Sequence, residues 1–156
     1  MLFGSIVYGP IRSRRLGVSL GVNLMPITAK LCTFDCVYCE CGWNKPVLHP
    51  NLPTRADVCA ALESQLSAAI EPIDVITFSG NGEPTMHPDF LGIIQDTCAL
   101  RDQYCPNAKV SVLSNSTQLG RVEVVQALKL CDNRILKLDS AIDATMRLID
   151  KPVNPH

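Results

Sequence analysis

The sequence has no excess of either charge, because its 156 residues carry 14 Lys and Arg against 15 Asp and Glu, a formal net charge of −1. A chain without a net basic field has no global electrostatic attraction for nucleic acids. Aromatic residues are scarce, at 5%, and add no support for base stacking on RNA. No apolar run approaches the roughly 20 residues that span a bilayer. With no targeting segment visible, we expect a cytoplasmic protein.

Cysteine, in contrast, is plentiful, with eight in the chain. A disulfide framework is one interpretation, but the sequence shows no signal peptide, and its length and 47% hydrophobic content suit a packed core. We therefore predict a single domain. Buried free cysteine packs as a small apolar residue, and core packing is our prediction for Cys59, Cys98, Cys105 and Cys131.

The cysteines near the N-terminal third are closely spaced. Cys32, Cys36 and Cys39 form a C-x-x-x-C-x-x-C pattern, which we expect to bend three thiolates around one centre. Thiolate sulfur suits iron–sulfur clusters. A four-iron cluster with three protein ligands keeps one iron open for a small molecule, as open catalytic metal sites do. Cys41 is close enough to complete a tetrathiolate zinc site instead, although zinc ligands usually come as two separated pairs.

The rest of the chain alternates strand and helix patterns. The strands are predicted at residues 17–25, 74–78, 109–113 and 134–138. A first helix is predicted to begin at an N-cap formed by Thr54 and Asp57. Three further helices are predicted at residues 89–103, 118–130 and 143–149. In the third helix, Val122, Val125 and Leu128 are predicted to point inward. Such alternation indicates a parallel sheet with right-handed crossovers, whose ligands bind beyond the carboxyl ends of the strands.

A glycine-rich segment follows the second predicted strand. Gly80, Asn81, Gly82 and Glu83 precede Pro84. Glycine lets the backbone approach a ligand closely, and a carboxylate can pair with an ammonium group. A plain Asn-Gly turn is the alternative interpretation.

Polar residues also follow the next two strands. Asn115 and Ser116 can bind a carboxylate or a ribose, or they can cap the next helix. Lys137 and Asp139 alternate onto one face at the end of the fourth strand, where they serve either a ligand or a structural ion pair.

The cysteine spacing, with Tyr38 before the third cysteine, resembles the signature of the radical S-adenosylmethionine (SAM) superfamily. The resemblance implies a [4Fe-4S] cluster held by Cys32, Cys36 and Cys39. It also implies reductive cleavage of S-adenosyl-L-methionine to a 5′-deoxyadenosyl radical, which abstracts hydrogen from an unidentified substrate. A reducing partner such as flavodoxin or ferredoxin follows from the same resemblance.

The same family implies the residues that contact the cofactor. The segment at residues 80–84 resembles its G-x-G-E-P motif, which holds the methionyl amino group, while the aromatic between the cysteines flanks the adenine. The positions implied to bind SAM are Tyr38, Gly80, Asn81, Gly82, Glu83, Asn115, Ser116 and Asp139. No catalytic residue is assigned.

Residues 8–23 resemble a branch of small iron–sulfur oxidoreductases related to the wyosine-base synthetases. Arg12, Arg14 and Arg15 form a local basic patch there, which either binds an anion or lies on a solvated arm. A nucleic-acid partner follows only from this family analogy.

The resemblance covers residues 9–152, but superfamily barrels usually have six strands, and four are predicted here. We therefore expect an α/β fold, a partial (β/α) barrel of four βα units truncated before the fifth strand, with residues 1–156 forming a radical SAM core domain. Its inner face is expected to carry Ile76, Phe78 and Leu113 or their alternating neighbours. Uncovered apolar surface of this kind predicts self-association.

Two other functions remain open for the chain. One is a non-catalytic iron–sulfur fragment or electron carrier, although carriers typically ligate every iron with cysteine. The other is a structural zinc module. His49 and His87 adjoin prolines in loops and are predicted to be surface residues.

Overall fold

The computed structural model describes residues 1–46, 48 and 50–153, and its strands form one sheet in the order β1-β2-β3-β4-β5. The strands are β1 (Val7–Ser13), β2 (Gly17–Val22), β3 (Val75–Phe78), β4 (Lys109–Ser114) and β5 (Asn133–Leu136). The helices are α1 (Arg55–Ser67), α2 (Phe90–Tyr104), α3 (Val122–Leu130) and α4 (Asp143–Asp150). β1 pairs antiparallel with β2, and the other neighbours pair in parallel. The predicted α/β partial barrel is confirmed.

Helix α1 begins at the predicted cap. The Asp57 amide donates to the Thr54 hydroxyl at 3.2 Å, and the Thr54 amide donates to the Asp57 carboxylate at 2.9 Å. This reciprocal capping box satisfies two amides that the first turn cannot. Val58, Leu62 and Leu66 recur at helical spacing and are buried.

The helices cover one face of the sheet, and this side holds the core. The strand residues in the core cluster alternate along β2, β3 and β4; they are Leu20, Val22, Ile76, Phe78, Val110 and Val112, each at most 2% exposed. Phe78 meets Phe90 of α2 edge to face, with ring centroids 6.2 Å apart. Burial of this apolar face gives the fold its main stabilisation.

The opposite face of the sheet is more polar than the sequence pattern suggested. The Ser19 and Thr77 hydroxyls are 2.8 Å apart, and the Asn133 amide donates to the Ser111 hydroxyl at 2.9 Å. Of the two alternating sets expected for the inner face, Ile76 and Phe78 lie on the side that the helices cover, so their alternating neighbours face inward. Leu113 alternates with Ser111 on the inner side and is 38% exposed.

The N-terminal segment is a strand rather than a solvated arm. Gly9 and Pro10, which are typical of turns, lie within β1. The strand lies at the sheet edge, where a proline does not remove a hydrogen bond to a further strand. The Arg12 guanidinium pairs with Glu71 at 2.6 Å on the surface. The turn between β1 and β2 carries Arg14 and Arg15 and lies at the amino end of β2, away from the cysteine loop.

Other local predictions need correction. β2 ends at Val22 because the Asn23 side chain bonds both the amide and the carbonyl of Met25. α3 begins at Val122, which is 66% exposed, so its inward face starts at Val124 instead.

His87 is not a surface residue, because it is 2% exposed. Its Nε2 lies 2.8 Å from the Pro53 carbonyl, and its Nδ1 accepts from the Asp89 amide at 3.1 Å. His49 lies outside the described residues.

All eight cysteines are free. Cys131 is buried in the core, as predicted. Three further cysteines are partly buried and pack against the core: Cys59, Cys98 and Cys105. In the described part of the chain, no helix combines the length and the apolar character needed to cross a membrane.

Candidate functional site

The predicted site residues meet at the carboxyl edge of the sheet, as the strand order requires. The loop after β2 carries the cysteines and pairs with the glycine segment after β3. The Leu31 amide donates to the Asn81 carbonyl at 2.9 Å, and the Glu83 amide donates to the Leu31 carbonyl at 3.1 Å. The cysteine loop and the glycine segment therefore form one unit.

The two glycines of this segment permit the close approach. Gly82 has φ +150°, and a Cβ there would lie 1.7 Å from the Leu31 carbonyl oxygen. Gly80 has φ +151°, and a Cβ there would lie 2.4 Å from the Asn23 amide oxygen. Side chains at either position would push the cysteine loop or Asn23 away.

Asn81 is fully buried, and its side chain is used within the protein. Its amide nitrogen donates to the carbonyls of Phe3 at 2.9 Å and Pro26 at 2.8 Å, while its oxygen accepts from the Phe3 amide at 2.8 Å. The side chain thus ties the N-terminal segment to the glycine segment. Contact of Asn81 with a cofactor stays a prediction.

Glu83 is 2% exposed and joins the glycine segment to the end of β4. Its Oε1 accepts from the amide and hydroxyl of Thr85, at 3.1 and 2.5 Å, and from the Ser114 hydroxyl at 2.8 Å. Its Oε2 accepts from the Asn115 amide at 2.6 Å. Four donors satisfy a buried carboxylate that would otherwise be costly. A cofactor ammonium would have to join or replace these donors.

Asn115 brings the β4 loop to the first cysteine. Its side-chain nitrogen, Nδ2, lies 2.8 Å from the Thr33 hydroxyl and 3.5 Å from the Cys32 sulfur. Ser116 follows in the left-handed region at φ 69°, and its amide donates to the Ser114 hydroxyl at 3.1 Å. Both residues therefore border the cysteine loop, where the sequence predicts cofactor contacts.

A buried cation that sequence reasoning missed lies beneath the cysteines. The Lys30 side chain is 1% exposed, and its ammonium donates to Asp35 and to the Gly42 carbonyl, both at 2.9 Å. Asn44 donates to the same Asp35 oxygen and accepts from the Cys32 amide at 2.9 Å. The only sequence signal is a lysine two residues before the first cysteine.

Cys32, Cys36 and Cys39 lie on one loop, between β2 and α1. Within the described residues, no three His, Cys, Asp or Glu side chains are grouped to hold a metal ion. Convergence of the three thiolates on one centre stays a prediction. Ligand thiols must be deprotonated, and metal binding commonly orders its own site.

The donor chemistry fits a cluster, since Cys32, Cys36 and Cys39 are free thiols and thiolate sulfur ligates iron–sulfur clusters. Burial raises the pKa of Cys32 to about 11, an effect that the Lys30 charge opposes. Burial also raises the pKa of Cys36, and the Lys137 charge opposes this rise. Cys41 is different, because its thiol donates to the Gly80 carbonyl at 3.3 Å.

The end of β5 carries a charged group that reaches the cysteine loop. Lys137 lies 3.1 Å from Asp139, which accepts a short hydrogen bond from the Tyr38 hydroxyl. Burial and the Asp139 carboxylate raise the pKa of Tyr38. The structural ion pair expected as one alternative at Lys137 is therefore present, and cofactor contact by Asp139 or Tyr38 stays a prediction.

Two cavities flank Phe34 beside the cysteine loop. One, of about 400 Å³, is bounded by Asn115, Ser116, Lys137 and Asp139. The other, of about 810 Å³, includes Cys32, Thr33 and Thr117 in its lining. Four of the predicted residues therefore border open space large enough for a ligand.

Comparison with known families agrees with this arrangement. The model of the radical SAM superfamily matches residues 27–153. The chain belongs to this superfamily. The first cysteine of the match, Cys32, lies within the loop after β2.

Two similar proteins carry names that state no activity. A UPF0026 protein of Helicobacter pylori is 36% identical over 148 residues, covering 94% of this chain and 46% of that protein. A UPF0026 protein of Methanocaldococcus jannaschii is 32% identical over 151 residues, covering 95% of this chain and 44% of the archaeal protein. The chain thus spans about half the length of these relatives. No solved structure matches it. The relationship to wyosine-base synthetases stays a prediction.

Proposed function

We propose that this chain binds a [4Fe-4S] cluster through Cys32, Cys36 and Cys39 and uses it with S-adenosyl-L-methionine. When bound, the cluster would supply one electron to cleave the bond from the sulfonium sulfur to C5′, giving methionine and a 5′-deoxyadenosyl radical that takes hydrogen from a substrate. The observation that carries the proposal is the joining of three loops at one edge of the sheet. Leu31 pairs with Gly82, and the Asn115 amide lies against Cys32.

The chain's own residues would hold and orient the cofactor. Asn115, Ser116 and Asp139 border the smaller cavity and offer amide, hydroxyl and carboxylate groups for a ribose or carboxylate. Glu83 would accept the methionyl ammonium, and the backbone of Gly80 and Gly82 would approach it. Lys30 would offset negative charge on the cysteine loop, because its ammonium is buried beneath it.

The other components are proposed by family. A reducing partner such as flavodoxin or ferredoxin would deliver the electron. The substrate would be a separate molecule. A non-catalytic iron–sulfur fragment and a zinc module are the competing functions. Engagement of Cys41 with Gly80 disfavours a four-cysteine zinc site.

Anaerobic reconstitution tests the proposal. The wild-type chain should hold four irons and sulfides, and a reductant with SAM should yield 5′-deoxyadenosine. Cys32→Ala, Cys36→Ala and Cys39→Ala should each lose the cluster, while Cys41→Ala serves as the matched control and keeps it. Zinc without sulfide would overturn the cluster, and a cluster without 5′-deoxyadenosine would favour the non-catalytic fragment.

A further inference from the structure

The end of α4 runs along the cysteine loop, and we call residues 149–153 the strap. The Asp35 amide donates to the Asp150 carbonyl, and the Val37 amide donates to the Ile149 carbonyl, each at 2.9 Å. From the other side, the Val153 amide donates to the Thr33 carbonyl at 2.9 Å. These bonds bracket the stretch between Cys32 and Cys36. The strap therefore holds the backbone that spaces two of the proposed ligands.

An ion pair fixes the strap to the sheet. The Asp150 side chain is 2% exposed and accepts a short hydrogen bond from Lys137, which follows β5 and is itself 22% exposed. The Lys137 ammonium also lies 4.9 Å from the centroid of the Phe34 ring, within the cysteine loop. Removing one member of a buried pair leaves an uncompensated charge, so each partner holds the other in place.

The same pair lies beside the segment that carries the middle cysteine. The Lys137 ammonium is 4.9 Å from the Phe34 ring centroid and 5.9 Å from the Tyr38 ring centroid, and these rings stand two positions before and after Cys36. The Asp150 carbonyl accepts from the amide of Asp35, the residue next to Cys36. The two side chains carry opposite charges, so they act on the Cys36 sulfur with opposite sign. A further contact holds the far end of the loop, because the Lys151 ammonium lies 4.6 Å from the Trp43 ring centroid.

We propose that the strap and its Lys137–Asp150 pair are a positioning element, which fixes the cysteine loop and sets the charge around Cys36. This inference rests on the proposed function, because it concerns the cluster that Cys36 would hold. Net charge and hydrogen bonds around the sulfurs set the reduction potential of such clusters. The two partners should therefore shift that potential in opposite directions.

Two nearly isosteric changes separate this positioning role from a merely structural one. Asp150→Asn removes a negative charge and should raise the potential, whereas Lys137→Met removes a positive charge and should lower it. Both should weaken retention of iron by about tenfold to a hundredfold, the usual effect of losing a group that supports a metal ligand. Lys137→Arg keeps the charge and should leave the reduction potential at the wild-type value.

The matched control is Asp96→Asn, the same chemical change in another ion pair. Asp96 binds Arg55 at 2.6 Å between α1 and α2, far along the sequence from the cysteine loop. It should leave iron retention and potential unchanged. Equal shifts in Asp96→Asn and Asp150→Asn would overturn the inference.

Amide hydrogen exchange in the cluster-free chain provides a readout that does not need iron. The Asp35 and Val37 amides should exchange about tenfold faster or more in Asp150→Asn and Lys137→Met, but not in Asp96→Asn. A wild-type chain that takes up no cluster would defeat the proposed function, and exchange alone would then decide the strap. Wild-type exchange rates in both variants, or potentials that shift the same way, would overturn the inference. If Asp150→Asn does not fold, Lys137→Met and Lys137→Arg decide it.

Discussion

The helix-covered face of the sheet and its carboxyl edge are built by different forces. On the covered face, side chains such as Phe78 and Val110 are fully buried and held by apolar packing. At the edge, buried groups such as Glu83, Lys30 and Asp150 are charged, and each is held by specific partners. Apolar packing tolerates changes of partner, but a buried charge needs its own. The carboxyl edge is therefore the part of the molecule where a single substitution takes a specific partner away from a buried charge.

The largest effect on stability should come from the covered face. Phe78→Ala removes a fully buried ring that meets Phe90 and should lower the free energy of unfolding by about 3–5 kcal/mol. Urea denaturation of the cluster-free chain measures it. Leu113→Ala, on the polar side and 38% exposed, is the control and should cost much less. Equal losses would contradict the difference between the two faces.

Glu83 is the sharpest test at the edge. Glu83→Gln should weaken SAM binding without removing iron, and loss of a hydrogen bond to a charged group typically costs about 1.5–3 kcal/mol, roughly tenfold to a hundredfold in affinity. The same change should also destabilise the cluster-free chain, because four protein donors face the carboxylate.

Ser114→Ala separates the two functions of Glu83. It removes one donor and should cost about 1 kcal/mol of stability. If Glu83 only anchors the loops, both variants will lose stability while the dissociation constant for SAM stays unchanged. Calorimetry and denaturation on the same preparations distinguish these outcomes.

A smaller effect is expected at the start of α1. Thr54→Ala should cost about 1 kcal/mol, the typical value for an N-cap. Hydrogen bonds from Thr54 lower the pKa of Asp57 in the folded chain, so its contribution is present above the unfolded pKa and is lost as pH falls through the folded value. The stability difference between wild type and variant should therefore shrink in acid. A difference that grows as the pH falls would contradict the capping box.

The smallest effect should be on association. β5 is an edge strand, and Ile135, Leu136 and Leu138 are 41%, 44% and 80% exposed. Unpaired edges and exposed apolar side chains favour self-association. Light scattering should show a mass above 17.0 kDa that rises with concentration. Ile135→Lys, which places a charge on the edge, should reduce it, and a concentration-independent monomer would contradict the prediction.

Patterns confined to one element were predicted well from the sequence. The capping box at Thr54, the strand β3 and the helix α2 depend on neighbours in the chain. β1 was missed because Gly9 and Pro10 imitate a turn, and only pairing with β2 makes them part of an edge strand. His87 was misplaced for a similar reason, since the Pro53 carbonyl that satisfies it lies in another loop.

By itself, the sequence determined the alternation of strands and helices, the cysteine spacing and the placing of polar segments after strands. These follow from local periodicity and from the rule that parallel strands share one carboxyl edge. The tertiary structure decided which face of the sheet is covered, that the donors of Glu83 come from two loops, and that residues 149–153 lie against the cysteines. Those features depend on contacts between segments distant in the chain, where a buried charge finds its partner only after the chain has folded.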